Sequence, residues 1–184
     1  MIESNTRMSS TVPGLPKKRV RVQLNLDDGL WQLFARTDHI LTKLRQKELR
    51  QHGVNMNEAV VLLTVLRLKR LATAANISRQ LFWEPHTVSE QLKNMEKKGL
   101  IRKLRDLDRK NMIRVEATER GLEAYRQSAR RKSTREIMSV LTEGEQLQLW
   151  LLLAKIREKG MQKIGSRLAD PFPPSDPNRL GSPR

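Results

Sequence analysis

Thr87, Ser89, Glu90, Lys93, Asn94 and Lys97 recur at a spacing that puts them on one side of a helix, opposite Val88, Leu92 and Met95 at i, i+4 and i+7. Hydroxyl, amide and ammonium groups in such a row can hydrogen-bond to base edges or grip phosphates. That is chemistry of recognition, with no bond made or broken. Taken alone, such a face is more simply an ordinary solvated one. Its neighbours change the reading, because a charged hairpin follows at once. Candidates for bond-making chemistry are scarce. His39, His52 and His86 lie far apart and not at ligand spacing, and there is no HExxH, GxSxG, GxGxxG or phosphate-loop pattern. No metal site, no cofactor and no catalytic residue is expected, and an enzyme is the least supported class.

Charge points the same way. Thirty-six Lys and Arg against twenty Asp and Glu give a net charge of +16 over 184 residues. A surplus of that size favours a polyanionic partner, since each cation set against a phosphate releases a counterion. Residues 68–116 alone hold twelve cations and six acids. The chain has no cysteine, which excludes disulfides, thiolate zinc sites and thiol redox sensing. Its longest apolar run, Leu149 to Ala154, is far too short to cross a bilayer. No apolar segment follows the N-terminal charges as in a signal peptide, so the cytoplasm is the expected compartment.

The elements that would carry these residues follow from periodicity and punctuation. Residues 1–25 read as a flexible basic arm. A helix starts at Asp27–Asp28 and ends near Gly53, with Leu30, Phe34, Leu41 and Leu44 on its apolar stripe. A second helix runs from about Asn57, and Thr73 caps a short third. The connection Phe82-Trp83-Glu84-Pro85 leads into a fourth, 85–98, closed by Gly99. The period then switches to two. Leu100–Arg105 and Met112–Ala117 read as strands around a charged loop. One long helix is expected from Thr118 to about Val140, and Thr142-Glu143-Gly144-Glu145 has capping-box spacing for the last. Residues 166–184 hold five of the eight prolines and read as a disordered tail. Short helix, turn, helix, charged hairpin is the pattern of a winged helix-turn-helix. The expected fold is therefore mainly α with a small β-hairpin wing (α+β). Residues 57–117 would form its winged DNA-binding domain, between helical segments 26–56 and 118–165.

The stretch from Thr87 to Lys103, TVSEQLKNMEKKGLIRK, resembles the recognition helix and first wing strand of the MarR family of transcriptional regulators. Asp108-Arg109-Lys110 with Val115, Ala117, Thr118 and Gly121 is similar to that family's wing signature. The chain departs from it at Lys110, usually Arg, and at Ala117, commonly Leu. Lys keeps the charge at 110 but not the planar fork. The resemblance implies a bacterial homodimer, with residues 26–56 and 118–165 as its helical dimerisation region, that binds a pseudo-palindromic double-stranded operator and usually represses. Carried over by position, Thr87, Ser89, Lys93 and Asn94 would meet the major groove. His86, Lys97, Arg105, Arg109 and Lys110 would serve the wing and the backbone, with Asp106 and Asp108 orienting wing arginines. Family members often bind small aromatic or anionic effectors, for which Trp31, Phe34 and His39 are the candidate wall residues. Ordinary packing is the plainer role for Trp31 and Phe34.

A dimer has support beyond the resemblance. The run Leu147-Gln148-Leu149-Trp150-Leu151-Leu152-Leu153-Ala154 is apolar on nearly every face of its helix. Leu147, Trp150, Leu151, Leu153 and Ala154 are therefore the candidate interface residues. Two other classes stay open. One is an architectural or RNA-binding protein that uses charge alone, although only seven aromatics are present and none lies on the reading helix. The other is an adaptor whose winged domain binds a protein.

Overall fold

The computed structural model describes residues 25–105, 113–166, 168 and 171–180. Two units divide it, 1–36 and 37–184. Helix α1, Leu26–Arg50, opens with Asp27 and Asp28 in its first turn, and residues 25–36 are its described part in the first unit. Leu30, Trp31, Leu33 and Phe34 are all exposed there.

In the second unit the chain continues through α2 (Met56–Leu68), α3 (Ala74–Leu81), α4 (Pro85–Lys97), β1 (Ile101–Leu104), β2 (Arg114–Ala117), α5 (Glu119–Ser128), α6 (Lys132–Met138) and α7 (Glu143–Lys163). Side-chain caps fix most of the starts. Asn55 and Glu58 form a capping box on α2, and Thr142 and Glu145 form another on α7. Thr73 accepts from the Asn76 N–H, and Thr118 accepts from the Gly121 N–H at 3.1 Å. Pro85 occupies the first turn of α4, where its missing N–H costs nothing. Gly99 follows with φ of +68°, a conformation that turns the chain out of the helix and into β1.

One core joins these pieces. Val61, Leu62 and Val65 of α2 pack with Ile77 of α3, Val88, Leu92 and Met95 of α4, Ile101 of β1 and Val115 of β2. The hairpin is antiparallel, with Ile101 opposite Ala117 and Lys103 opposite Val115. The Val115 N–H also donates to Ala72 O at 2.7 Å, which ties the wing to the residue just before the α3 cap. The base of the wing is jammed against α5, and Gly121 permits it. A Cβ there would lie 2.0 Å from the Leu100 carbonyl oxygen.

Two expectations need correction. The single helix from Thr118 to Val140 is broken into α5 and α6 at Arg131, which takes the left-handed φ of +45°. The break is filled from α1. Arg45 donates to Ser128 O, and Glu48 accepts from the Lys132 N–H (2.9 Å) and the Ser133 hydroxyl, paired meanwhile with Arg45 at 2.9 Å. Glu48 thus caps a helix 84 residues away. Residues 171–180, expected to be structureless, carry a 3-10 turn at Pro177–Arg179 and lie along α7. The Trp150 indole N–H donates to Ser175 O at 3.1 Å and Arg157 donates to Pro173 O at 2.6 Å, while the Arg67 guanidinium of α2 stacks on Phe172 at 3.7 Å. Among the described residues no helix is long and apolar enough to cross a membrane.

Burial raises the Glu48 carboxyl, but the hydrogen bonds from Ser133, Arg45 and the Lys132 N–H, with the Arg45 charge, outweigh it and hold it at about 2, against an ordinary 4.5. A carboxyl lowered on folding stabilises above its unfolded value and loses that contribution as pH falls toward its folded one. Urea midpoints should therefore drop between pH 5 and pH 2.5 in the wild type, and less in Glu48→Gln, the two separated by about 1–2 kcal/mol at pH 6 and converging in acid. Parallel curves would show that Glu48 carries no such linkage.

Candidate nucleic-acid interface

The side chains at issue stand on α4 and on the hairpin behind it. Because Val88, Leu92 and Met95 are buried, the helix has one rotational setting, and His86, Thr87, Ser89, Glu90, Lys93, Asn94 and Lys97 are all left exposed. The Ser89 hydroxyl donates to Pro85 O at 2.9 Å, which leaves its oxygen lone pairs outward. Thr87 Oγ1 lies 3.4 Å from His86 Nε2. Among the described residues, the side chains of Lys93, Asn94 and Lys97 have no hydrogen bond or ion pair. They are available to a partner.

Other cations in this region are committed within the fold. Lys103 pairs with Glu96 at 2.7 Å, which braces β1 against α4. Arg102 pairs with Glu116 at 2.7 Å across the hairpin, and Arg114 reaches the same carboxylate at 3.7 Å. The hydrogen bond from Arg102, helped by the charges of Arg102 and Arg114, holds the Glu116 carboxyl below the usual carboxylate range. Arg105, just past β1 and the last described residue before the loop, is exposed. Arg109 and Lys110, with Asp106 and Asp108, lie outside the described residues.

Sequence reading missed an ion pair made by a buried carboxylate. Glu58 is 1% exposed. Its Oε2 accepts from the Asn55 N–H at 2.9 Å, and its Oε1 accepts from Lys98 Nζ at 2.6 Å. One carboxylate thus closes the start of α2 and holds the residue that ends α4. The spacing Asn55-x-x-Glu58 before an apolar run was the available signal. Nothing in the sequence linked Glu58 to Lys98, 40 residues on.

The remaining candidates fall elsewhere. Leu147, Leu151 and Leu153 are exposed on α7, joined there by Leu149, Leu152 and Ile156, while Trp150 and Ala154 are half-buried. Trp31, Phe34 and His39 are each exposed. A cleft of about 310 Å³ lies at a different place, with Val54, Leu100 and Ala124 at its apolar side and His52, Lys98 and Arg120 among its polar residues. No cluster of potential metal ligands occurs among the described residues.

No family model matches the sequence, and no curated protein matches it. Solved structures do resemble the fold. The organohalide-sensing transcriptional regulator RdhR, in its 2,4-dichlorophenol-bound form, is 26% identical, with 80% of this chain and 89% of that one covered at a TM-score of 0.70. AbsC of Streptomyces coelicolor, a MarR family transcriptional regulator, is 20% identical, with 78% and 99% covered at a TM-score of 0.68. MepR of S. aureus, solved as a DNA complex, is 21% identical, with 73% and 99% covered at a TM-score of 0.65. The chain is a winged helix-turn-helix protein, mainly helical with a two-stranded antiparallel hairpin. Its fold is that of the MarR family of transcriptional regulators.

The Glu58–Lys98 pair sets a stability prediction. Lys98→Ala leaves a buried carboxylate with one partner; because the Lys98 ammonium it loses is half exposed to water, the cost in urea unfolding should be about 1 kcal/mol. Adding Glu58→Gln, which keeps the cap but removes the charge, should recover part of that loss. If the double variant were less stable than Lys98→Ala alone, the unpaired charge would not be the cause.

Proposed function

We propose that this chain is a homodimeric, sequence-reading DNA-binding regulator of the MarR type, acting as a repressor. The observation that carries the reading is the outward face of α4, where Lys93, Asn94 and Lys97 are exposed and unpaired while neighbouring cations brace the hairpin. In this reading α4 enters the major groove. Thr87, Ser89, Lys93 and Asn94 reach base edges, and His86 and Lys97 take phosphates. The wing, with Arg105, Arg109 and Lys110, lies along the adjoining minor groove.

Residues 57–117 are the reading domain, and residues 26–56 and 118–165 build the dimer. The exposed leucines of α7 support the latter, since a monomer would leave Leu147, Leu151, Leu152 and Leu153 in water. Two-fold symmetry then demands two half-sites about one helical turn apart. A small effector, in the class of the phenol held by RdhR, releases the protein from its site.

Selection from a random duplex library tests this reading. The wild type should enrich one pseudo-palindromic motif and bind it at least about a thousandfold more tightly than shuffled duplex. Asn94→Ala should lose about tenfold or more of that preference while keeping its affinity for shuffled duplex. Arg105→Ala should weaken binding to both and lower the salt slope by about 0.9. Equal affinity for every duplex would replace the proposal with non-specific, charge-driven binding.

A further inference from the structure

Phe82 ends α3 in the left-handed conformation, φ 55° and ψ 33°, and is 45% exposed. That backbone geometry is unusual for a bulky L-residue, and Gly or Asn adopts it far more readily. The local hydrogen bonds enforce it. The Phe82 and Trp83 N–H groups both donate to Ser78 O, and the Ser78 hydroxyl donates to Trp83 O at 2.7 Å. Trp83 packs against the core, so the residue before it is turned outward. An exposed aromatic ring thus occupies a position where a small polar residue would spare both backbone strain and hydrated apolar surface. Strain of this kind persists where the surrounding structure over-determines it, and it concentrates at functional sites.

Its setting defines what the ring could meet. Phe82 lies in the turn between α3 and α4, three residues before Pro85 and so within ~11 Å of the start of α4. Exposed Arg79 lies one turn back, and exposed His86 and Thr87 follow. Arg79 and exposed Glu84 offset each other in charge, and exposed Glu90 follows on α4, so the ring is not set in a cationic patch of its own. Its place next to the exposed, unpaired face of α4 makes DNA its partner in this reading. On duplex DNA the bases are stacked and closed to an exposed ring, but the deoxyribose edge between phosphates is apolar and open. We propose that Phe82 contacts DNA, packing its ring on a deoxyribose of the strand that flanks the groove entered by α4. The inference rests on the reading of α4 as the groove helix.

An apolar contact has a signature that a cation does not share. It displaces no counterion, so its loss weakens binding equally at every salt concentration. The test is fluorescence anisotropy on the duplex enriched by the wild type, across a salt series, with Phe82→Gly and Phe82→Asn. Both residues accept a positive φ, so thermal midpoints should match or exceed the wild type. Affinity should fall about fivefold at each salt concentration with the slope unchanged, the order expected when half an aromatic ring stays in water. Unchanged affinity in both variants would overturn the contact, as would a changed slope. Lower thermal midpoints in both would make the ring a packing residue and overturn it too. A wild type that bound no duplex would instead sink the proposed function, and this contact with it.

Discussion

Glu58 ties α2 to α4 through a single carboxylate. One oxygen closes the N-terminus of α2 and the other binds the ammonium of Lys98 at the end of α4. A carboxylate this buried is tolerable only while both oxygens are satisfied, so α2 and α4 are held in one relation. Everything outward of α4 inherits that constraint. Glu96 on the same helix fixes Lys103 of β1, and Glu116 of β2 fixes Arg102. The chain of pairs runs from α2 through α4 into the wing. Its members are charged, but they act as braces.

That division gives the large positive charge two jobs. Lys98, Lys103 and Arg102 are spent inside the domain, while Lys93 and Lys97 on α4 remain unpaired and exposed. A protein that used charge alone would gain nothing from separating these sets. Placing fixed hydrogen-bonding side chains between free cations suits a surface that must select as well as attract. The left-handed Phe82 fits the same logic, with an apolar element added at the edge of an electrostatic surface.

Much of this was legible in the sequence because it is local. Thr73, Pro85, Gly99 and the Thr142–Glu145 pair each mark an element boundary by chemistry within four residues, and the structure keeps every one of them. The buried stripe Val88, Leu92 and Met95 likewise follows from helical period alone. What escaped was non-local. The break between α5 and α6 depends on Arg45 and Glu48 arriving from α1, and no propensity at Ser128–Lys132 reveals them. The order of residues 171–180 depends on Trp150, read from sequence only as part of an apolar helix, and on Arg157, which nothing in the sequence singled out. Phe82 escaped for a third reason. Its backbone angle is set by Ser78 and Trp83, and sequence suggests a turn there without saying which ring faces out.

Hydroxyl-radical footprinting of the protein on its enriched duplex tests most directly whether α4 reads DNA from a two-fold assembly. The account predicts two protected patches per strand, centred about one helical turn apart and related by the pseudo-dyad of the motif. Substituting Asn94 should blur the patches without moving them. A single patch, or uniform protection along the duplex, would contradict a paired reading helix and with it the central claim.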